Sequence, residues 1–279
     1  MNISHLRNRI RCTEPPVQPD IKRIGTDYQE EFVIWNPFNI KNGSIFSQFT
    51  VNADTDQTLY LIPDACAGIV FNCDISNANA QLSGIYTYPH EVILQNKATF
   101  FCFKPYTLMG TKLGDAHHKE LLNSSIDIRD IFSNTDIADR IAEAPSFYQR
   151  IELFQSFAME KMLDEKYDNI AEYMAIIMCL SNGKARMSEI EDLMGFTEKY
   201  CRKKFNAEYG FSPKLYERMC RLQKSIGMMS SMKAERISMQ DLTYESGYFD
   251  QSHFIREFKM YTNMTPTQFM RTYFASILE

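Results

Sequence analysis

The chain has no run of about 18 apolar residues, so a membrane-spanning helix is not expected. It has no Cys-x-x-Cys pair, and its seven cysteines, at 12, 66, 73, 102, 179, 201 and 220, are odd in number. Neither a disulfide framework nor a zinc cluster is therefore indicated, and no local signature marks a catalytic thiol. The first dozen residues, Met1 to Cys12, lack the apolar stretch of a secretory signal and carry Arg7, Arg9 and Arg11 instead. The protein is accordingly expected in the cytoplasm, with its cysteines mostly buried thiols. The five histidines, at 5, 90, 117, 118 and 253, do not form a ligand set. His90 with Glu91 stands alone, and the side chains of His117 and His118 diverge on a strand. No catalytic residue, no metal and no cofactor is predicted.

What is present is a globular composition. At 279 residues with 44% hydrophobic content, the chain is long enough for two ordinary domains with ample core. The formal net charge of −5 argues weakly against nucleic acid when the chain is taken as one body. Divided at residue 180, it reads differently. Residues 181–279 carry 15 Lys+Arg against 12 Asp+Glu, a net of +3, whereas residues 1–180 carry 15 against 23, a net of −8. The positive part is only mildly basic, so affinity for DNA there depends on placed contacts more than on bulk attraction.

That positive part contains a pattern written twice. Phe205, Gly210, Ser212 and Pro213 recur as Phe258, Asn263, Thr265 and Pro266, each pair 53 residues apart. Upstream, Ile190 matches Leu242 and Gly195 matches Gly247 at an offset of 52. Ser212-Pro213 and Thr265-Pro266 each put a capping hydroxyl before a proline, a helix-start signal. Gly210 and Asn263 sit where the preceding helix must stop, and both residues tolerate the left-handed conformation. Gly195 and Gly247 fit tight turns between two helices, with Thr197 and Asp250 as N-caps of the second helix in each unit. Two such units suit a partner touched twice at a fixed spacing, as successive turns of a DNA groove provide. From spacing alone, an ordinary helical hairpin repeat stays open.

The organisation divides in two. Residues 1–122 are punctuated by short segments rich in aromatic and branched residues: Glu31–Trp35, Thr58–Ile62, Ala67–Cys73, Gly84–Tyr88, Val92–Leu94 and Thr99–Phe103. They predict an antiparallel sandwich or small barrel. Beyond Asp127 the spacing turns helical. Ile137, Ile141, Ile151, Phe154, Phe157 and Met162 mark amphipathic helices that pack either on the barrel or against a second subunit. A nearly continuous apolar helix follows over 169–180. Helices are then predicted at 187–194, 197–206, 213–230, 238–245, 250–261 and 266–275.

The segment Gly247-Tyr248-Phe249-Asp250-Gln251-Ser252-His253-Phe254-Ile255-Arg256-Glu257-Phe258-Lys259, followed by Met264-Thr265-Pro266, closely resembles the signature of the AraC/XylS family of transcription regulators. Gly210-Phe211-Ser212-Pro213-Lys214, with Arg218 and Arg221-Leu222-Gln223, resembles the end of that family's first helix-turn-helix and its linking helix. The resemblance covers roughly 170–275. More weakly, Leu61-Ile62-Pro63-Asp64-Ala65-Cys66, Gly84 and Phe103-Lys104-Pro105 look like the cupin-like sensor domain that often precedes it. The resemblance implies an α+β protein: an N-terminal antiparallel β-barrel (cupin-like), then an all-α domain with two helix-turn-helix units joined by a long helix. The expected divisions are a sensor domain over 1–125, a helical linker that also serves dimerisation over 126–168, and a DNA-binding domain over 169–279. Three residues depart from the family's habit: Glu191 and Thr243 where a small residue is usual, and Asn263 in place of glycine. Glu191 beside a buried face needs a partner or an outward tilt.

A recognition helix places its N-terminal half in the major groove. On the second such helix, Phe254 and Phe258 are expected inward. Gln251, Ser252, Ile255 and Arg256 share the other face. Gln251 suits adenine, Arg256 guanine or a phosphate, Ile255 a thymine methyl, and Lys259 a phosphate. A salt bridge to Glu257 or Asp250 is the alternative for Arg256. On the first, Tyr200 and Phe205 are expected inward, with Lys199, Arg202 and Lys203 for bases or phosphates. Glu198 either accepts from cytosine or sits on the surface at the helix N-terminus. The aromatics Phe71, Tyr86, Tyr88, Phe100, Phe101, Phe103 and Tyr106 either line an apolar ligand pocket or form core. The partners implied are double-stranded promoter DNA, RNA polymerase by family, a small-molecule effector and a second copy of the chain. Two alternatives remain: an effector-independent regulator whose first domain only oligomerises, and a cupin-type enzyme with a helical accessory domain.

Overall fold

A computed structural model describes residues 16–35, 42–105, 118–162, 170–231 and 238–275. A short helix α1 (Pro19–Ile24) leads into strands β1 (Thr26–Trp35), β2 (Asn42–Thr50), β3 (Gln57–Leu61), β4 (Gly68–Asn72), β5 (Asn79–Ser83), β6 (His90–Leu94), β7 (Thr99–Pro105) and β8 (Ser125–Asp127). Six of them form an antiparallel sheet in the order β1-β2-β7-β4-β5-β8, and β3 pairs with β6 in a separate ribbon. The central strand β7 has both faces covered. Phe101 and Phe103 face one core with Phe46, Ile69 and Phe71. Phe100 faces a second with Phe49, Val51, Leu59 and Leu94.

The domain is an antiparallel sheet, as expected, but its edge strands β1 and β8 do not pair and the sheet does not close into a barrel. The segment Gly84–Tyr88 is not a strand; pairing runs over Asn79–Ser83 and stops there. Gly84 turns its N–H to the Ser124 carbonyl at 3.0 Å, and a Cβ on it would meet the Leu121 oxygen at 1.8 Å, so the chain leaves the sheet under that loop. His117, Tyr106 and the N-terminal arginines lie outside the described residues.

Two helices cover the free face of the sheet. They are α3 (Ile137–Glu143) and α4 (Phe147–Lys161), preceded by the single turn α2 (Ile128–Ile131). Phe154 inserts between sheet rings, 4.3 Å from Phe103 and 5.8 Å from Phe46 and Phe71. Of the two packings open to these helices, the one on the sheet is formed.

The rest is helical: α5 (Ile170–Leu180), α6 (Met187–Met194), α7 (Glu198–Tyr209), α8 (Pro213–Ser231), α9 (Met239–Glu245), α10 (Gln251–Thr262) and α11 (Pro266–Tyr273). Every residue of α5 from Ala171 to Met178 is buried, as its continuous apolar run requires. Loop residues Ala65, Ala67 and Ile85 join the core of the first helical unit, and Ile62 joins that of the second. Gln223 on α8 accepts from the Val17 N–H at 2.8 Å and donates to the Pro63 carbonyl at 3.0 Å. The sheet part is thereby fastened to the helix that links both units.

Candidate nucleic-acid interface

Each helix-turn-helix unit is punctuated by local chemistry. In the first, Gly195 ends α6 with φ 71°, Thr197 Oγ1 accepts from the Tyr200 N–H at 3.4 Å, and Gly210 ends α7 with φ 77°. In the second, Gly247 turns with φ 86°, Asp250 Oδ1 accepts from the His253 N–H at 2.7 Å, and Asn263 ends α10 with φ 56°. Thr265 and Gln268 form a reciprocal capping box at the start of α11. Side-chain acceptors at these N-caps satisfy N–H groups that the helix itself leaves open.

On α10, Phe254 and Phe258 are fully buried and pack edge to face at 5.5 Å. Gln251, Ser252, Arg256 and Lys259 are exposed on the opposite side, with Ile255 half-buried. Arg256 makes no salt bridge among the described residues. Glu257 does not serve it: that carboxylate is 5% exposed and faces inward. It accepts from Arg218 Nε at 2.9 Å, lies 3.5 Å from Arg221 Nη2, and meets His253 Nε2 at 3.2 Å.

On α7, Cys201, Phe205 and Tyr209 make the buried row, and Lys199 and Lys203 are exposed. Arg202 and Glu198 are half-buried and paired one turn apart at 2.7 Å. Tyr200 corrects the expectation of an inward ring. It is 38% exposed, lies tilted against Phe196 with ring centroids 5.2 Å apart and carries Lys204 Nζ 5.6 Å from its centroid. The buried row runs 201, 205, 209, and residue 200 stands about 100° of helix turn away from it. Glu191 is half-buried and raises no buried unpaired atom. Thr243 is buried, and its hydroxyl donates to the Met239 carbonyl at 2.7 Å.

The long helix α8 holds the two units together through two arginines. Arg221 Nη1 donates to the Gly183 carbonyl at 3.0 Å, and its guanidinium lies 5.6 Å over the Tyr248 ring. Arg218 lies 5.2 Å over Tyr261. Burial, with Glu257 nearby, pushes the Tyr261 hydroxyl up to about 12. Lys184 lies against Gly247, so the lead-in to the first unit touches the turn of the second. The inward place of Glu257 was available from the sequence. Residues 254, 257, 258 and 261 follow the spacing of a buried helix face.

Residues 191–272 match the family model described as a helix-turn-helix domain. The match runs from within α6 to within α11 and so takes in both helical units and the helix between them. No curated relative matches the chain. Similar solved structures include a DNA-binding transcriptional dual regulator from Escherichia coli K-12, 20% identical, with a TM-score of 0.33 over 38% of this chain and 99% of that one. ToxT from Vibrio cholerae is 14% identical, with a TM-score of 0.44 over 89% of this chain and 100% of that one. ToxT with an unsaturated fatty acid bound is 13% identical, with a TM-score of 0.42 over 89% and 95%.

A cavity of about 890 Å³ lies between the sheet and the β3–β6 ribbon and reaches Gly227 and Ser230 on α8 and Phe274 beyond α11 of the helical part. Its walls include Phe49, Leu59, Val70, Val92 and Phe100. Among the aromatics singled out in the sequence, Tyr86, Phe100 and Phe103 line it, Phe71 and Phe101 lie in the core, and Tyr88 is 50% exposed. Its polar end holds the ion pair Lys104–Asp64, with Gln18 donating to Asp64 at 2.9 Å. Burial pulls the Lys104 ammonium down, but Asp64 and Cys66 outweigh it, and the net shift is upward. Among the described residues no cluster of His, Cys, Asp and Glu is placed to hold a metal ion, and no helix is long and apolar enough to cross a membrane.

Proposed function

We propose that this chain is a sequence-specific transcription regulator, acting as an activator, whose α7 and α10 read adjacent major-groove segments of promoter DNA. The carrying observation is Arg256: exposed on α10, opposite the buried phenylalanines and in no salt bridge among the described residues. Gln251 and Arg256 then serve bases, Ile255 a thymine methyl, and Ser252 and Lys259 the edge of the site and the backbone. On α7, Lys199 and Lys203 are free for phosphate or base, while Arg202 and Glu198 must first part from one another. The 19 residues of α8 span roughly 28 Å at 1.5 Å each, close to the ~34 Å between successive groove faces once helix widths are added.

The cavity bordered by α8 supports an effector role for the first domain, since a molecule filling it touches both parts of the chain. The partners on this reading are double-stranded promoter DNA, RNA polymerase, a small apolar effector and a second copy of the chain. The site of action is the nucleoid in the cytoplasm. It is a regulator and not an enzyme. Arg256→Ala is expected to weaken a specific promoter fragment by about 1–3 kcal/mol, roughly 5- to 150-fold, with the melting temperature unchanged. Fluorescence anisotropy on the fragment and on an unrelated duplex checks it. Unchanged promoter affinity counts against the assignment.

A further inference from the structure

Between the two units lies an open cleft of about 680 Å³ that the recognition helices alone do not explain. Lys184 and Arg186 enter it from the lead-in to α6, Arg202 from α7 and Lys214 from α8, and Tyr244 and Phe249 form the far wall. With Arg221, five cationic side chains line it against one carboxylate, Glu217. Two of the five are already committed, Arg202 to Glu198 and Arg221 to Glu257 and the Gly183 carbonyl. Lys184, Arg186 and Lys214 remain exposed and in no salt bridge among the described residues. Burial raises the Glu217 carboxyl against the opposing pull of Arg221, Arg202 and Lys214.

The two aromatic residues are the second observation. Tyr244 is 76% exposed and Phe249 is 94% exposed, although both belong to an otherwise well-packed unit. An isolated exposed apolar ring needs no explanation, but two rings lining a cationic cleft describe a surface for a partner that is both anionic and partly apolar. Phe249 immediately precedes Asp250, the cap of α10, so it stands at the end of the helix that points into the groove. Arg202 marks the other side on α7. What passes between two helices seated in successive major-groove segments is the sugar–phosphate backbone bounding the intervening minor groove.

We propose, resting on the DNA-binding reading above, that this cleft grips that backbone: Lys184, Arg186 and Lys214 hold phosphates, and Tyr244 and Phe249 cover deoxyribose. The grip is indifferent to sequence and fixes the register in which α7 and α10 read bases.

The test uses the full chain and measures affinity for a promoter fragment and an unrelated duplex between about 50 and 300 mM salt. Each lost phosphate contact lowers the slope of log K on log salt by about 0.9, so the combined variant K184Q/R186Q/K214Q is expected to lose about 2–3 from the slope on both duplexes. Phe249→Ala is expected to weaken both duplexes several-fold with the slope unchanged. A wild-type slope in the triple variant overturns the cleft assignment and leaves DNA binding by the helices standing. Competition by free ADP that vanishes in the triple variant, with the slope untouched, assigns the cleft to a small nucleotide and equally overturns it. Wild-type protein that binds neither duplex refutes the DNA-binding reading itself. The three side chains are exposed, and an unchanged thermal melt is the control for folding. If the triple variant melts early, Lys214→Gln alone is expected to lose about 0.9 from the slope, and no loss is decisive against the grip.

Discussion

Glu257→Ala is expected to lower the melting temperature by roughly 6–12 °C, from a loss of about 3 kcal/mol. The carboxylate is 5% exposed and sits between Arg218 and Arg221, which are 28% and 13% exposed. Removing one partner of a buried ion pair costs about 3–5 kcal/mol because the remaining charges lose their compensation. The lower end applies here because Arg218 is partly in water and swings out readily, whereas Arg221 is held by the Gly183 carbonyl and the Tyr248 ring. Glu257→Gln keeps acceptor atoms in place and is expected to fall between wild type and the alanine variant. The tie joins α8 to α10, so it also sets where the second recognition helix stands relative to the first. Affinity for a full promoter site should then drop more than affinity for an isolated half-site. Differential scanning fluorimetry and half-site titrations read the two effects separately. A melting temperature within a degree or two of wild type would show that the arginines find other partners.

The places where local sequence was informative are those with local physics. The bounds of the helical units followed from Thr197 and Asp250 as caps and from Gly210 and Asn263 as stops, each acting within one turn of its own position. Phe254 and Phe258 are legible as core from their four-residue spacing. Strand β2 was not, because Asn42–Thr50 interleaves Ser44, Ser47 and Gln48 with its apolar residues and owes its pairing to β1 and β7. Closure of the sheet is likewise a property of distant edges, and no short segment records whether β1 meets β8. Tyr200 is misleading for a different reason: its aromatic ring suits a core, but the row 201, 205, 209 already occupies that face. Glu257 is a sequence candidate to pair with Arg256, but its position belongs to the buried face and it pairs with Arg218 instead. The cleft between the units was out of reach, since its walls come from segments about 60 residues apart and only packing brings them together.

Phe258→Ala is expected to melt the second helix-turn-helix unit and spare the first. Phe258 is fully buried and touches Phe254 at 5.5 Å and Phe269 at 5.2 Å, all within one core cluster. Its counterpart Phe205 lies in a different cluster, 4.6 Å from Tyr209 and 5.7 Å from Tyr216. Truncating such a ring leaves a cavity and costs about 3–5 kcal/mol, a factor of roughly 150–5,000 in the local folding equilibrium. The two clusters meet mainly along α8, so the loss is felt first by the elements that only the second cluster supports, α9 to α11. Amide hydrogen exchange should therefore accelerate over 239–273 while protection over 187–209 holds. DNA affinity should fall to that of a single unit with the first half-site still read. Phe205→Ala should produce the mirror result, with a broader effect because its cluster includes Ala65, Ala67 and Ile85 from the first domain. A uniform rise in exchange along the whole chain after Phe258→Ala is the outcome that defeats this view. It would mean that the duplicated units fold as one body and that their cores, though built from separate rings, do not support two separately stable readers of DNA.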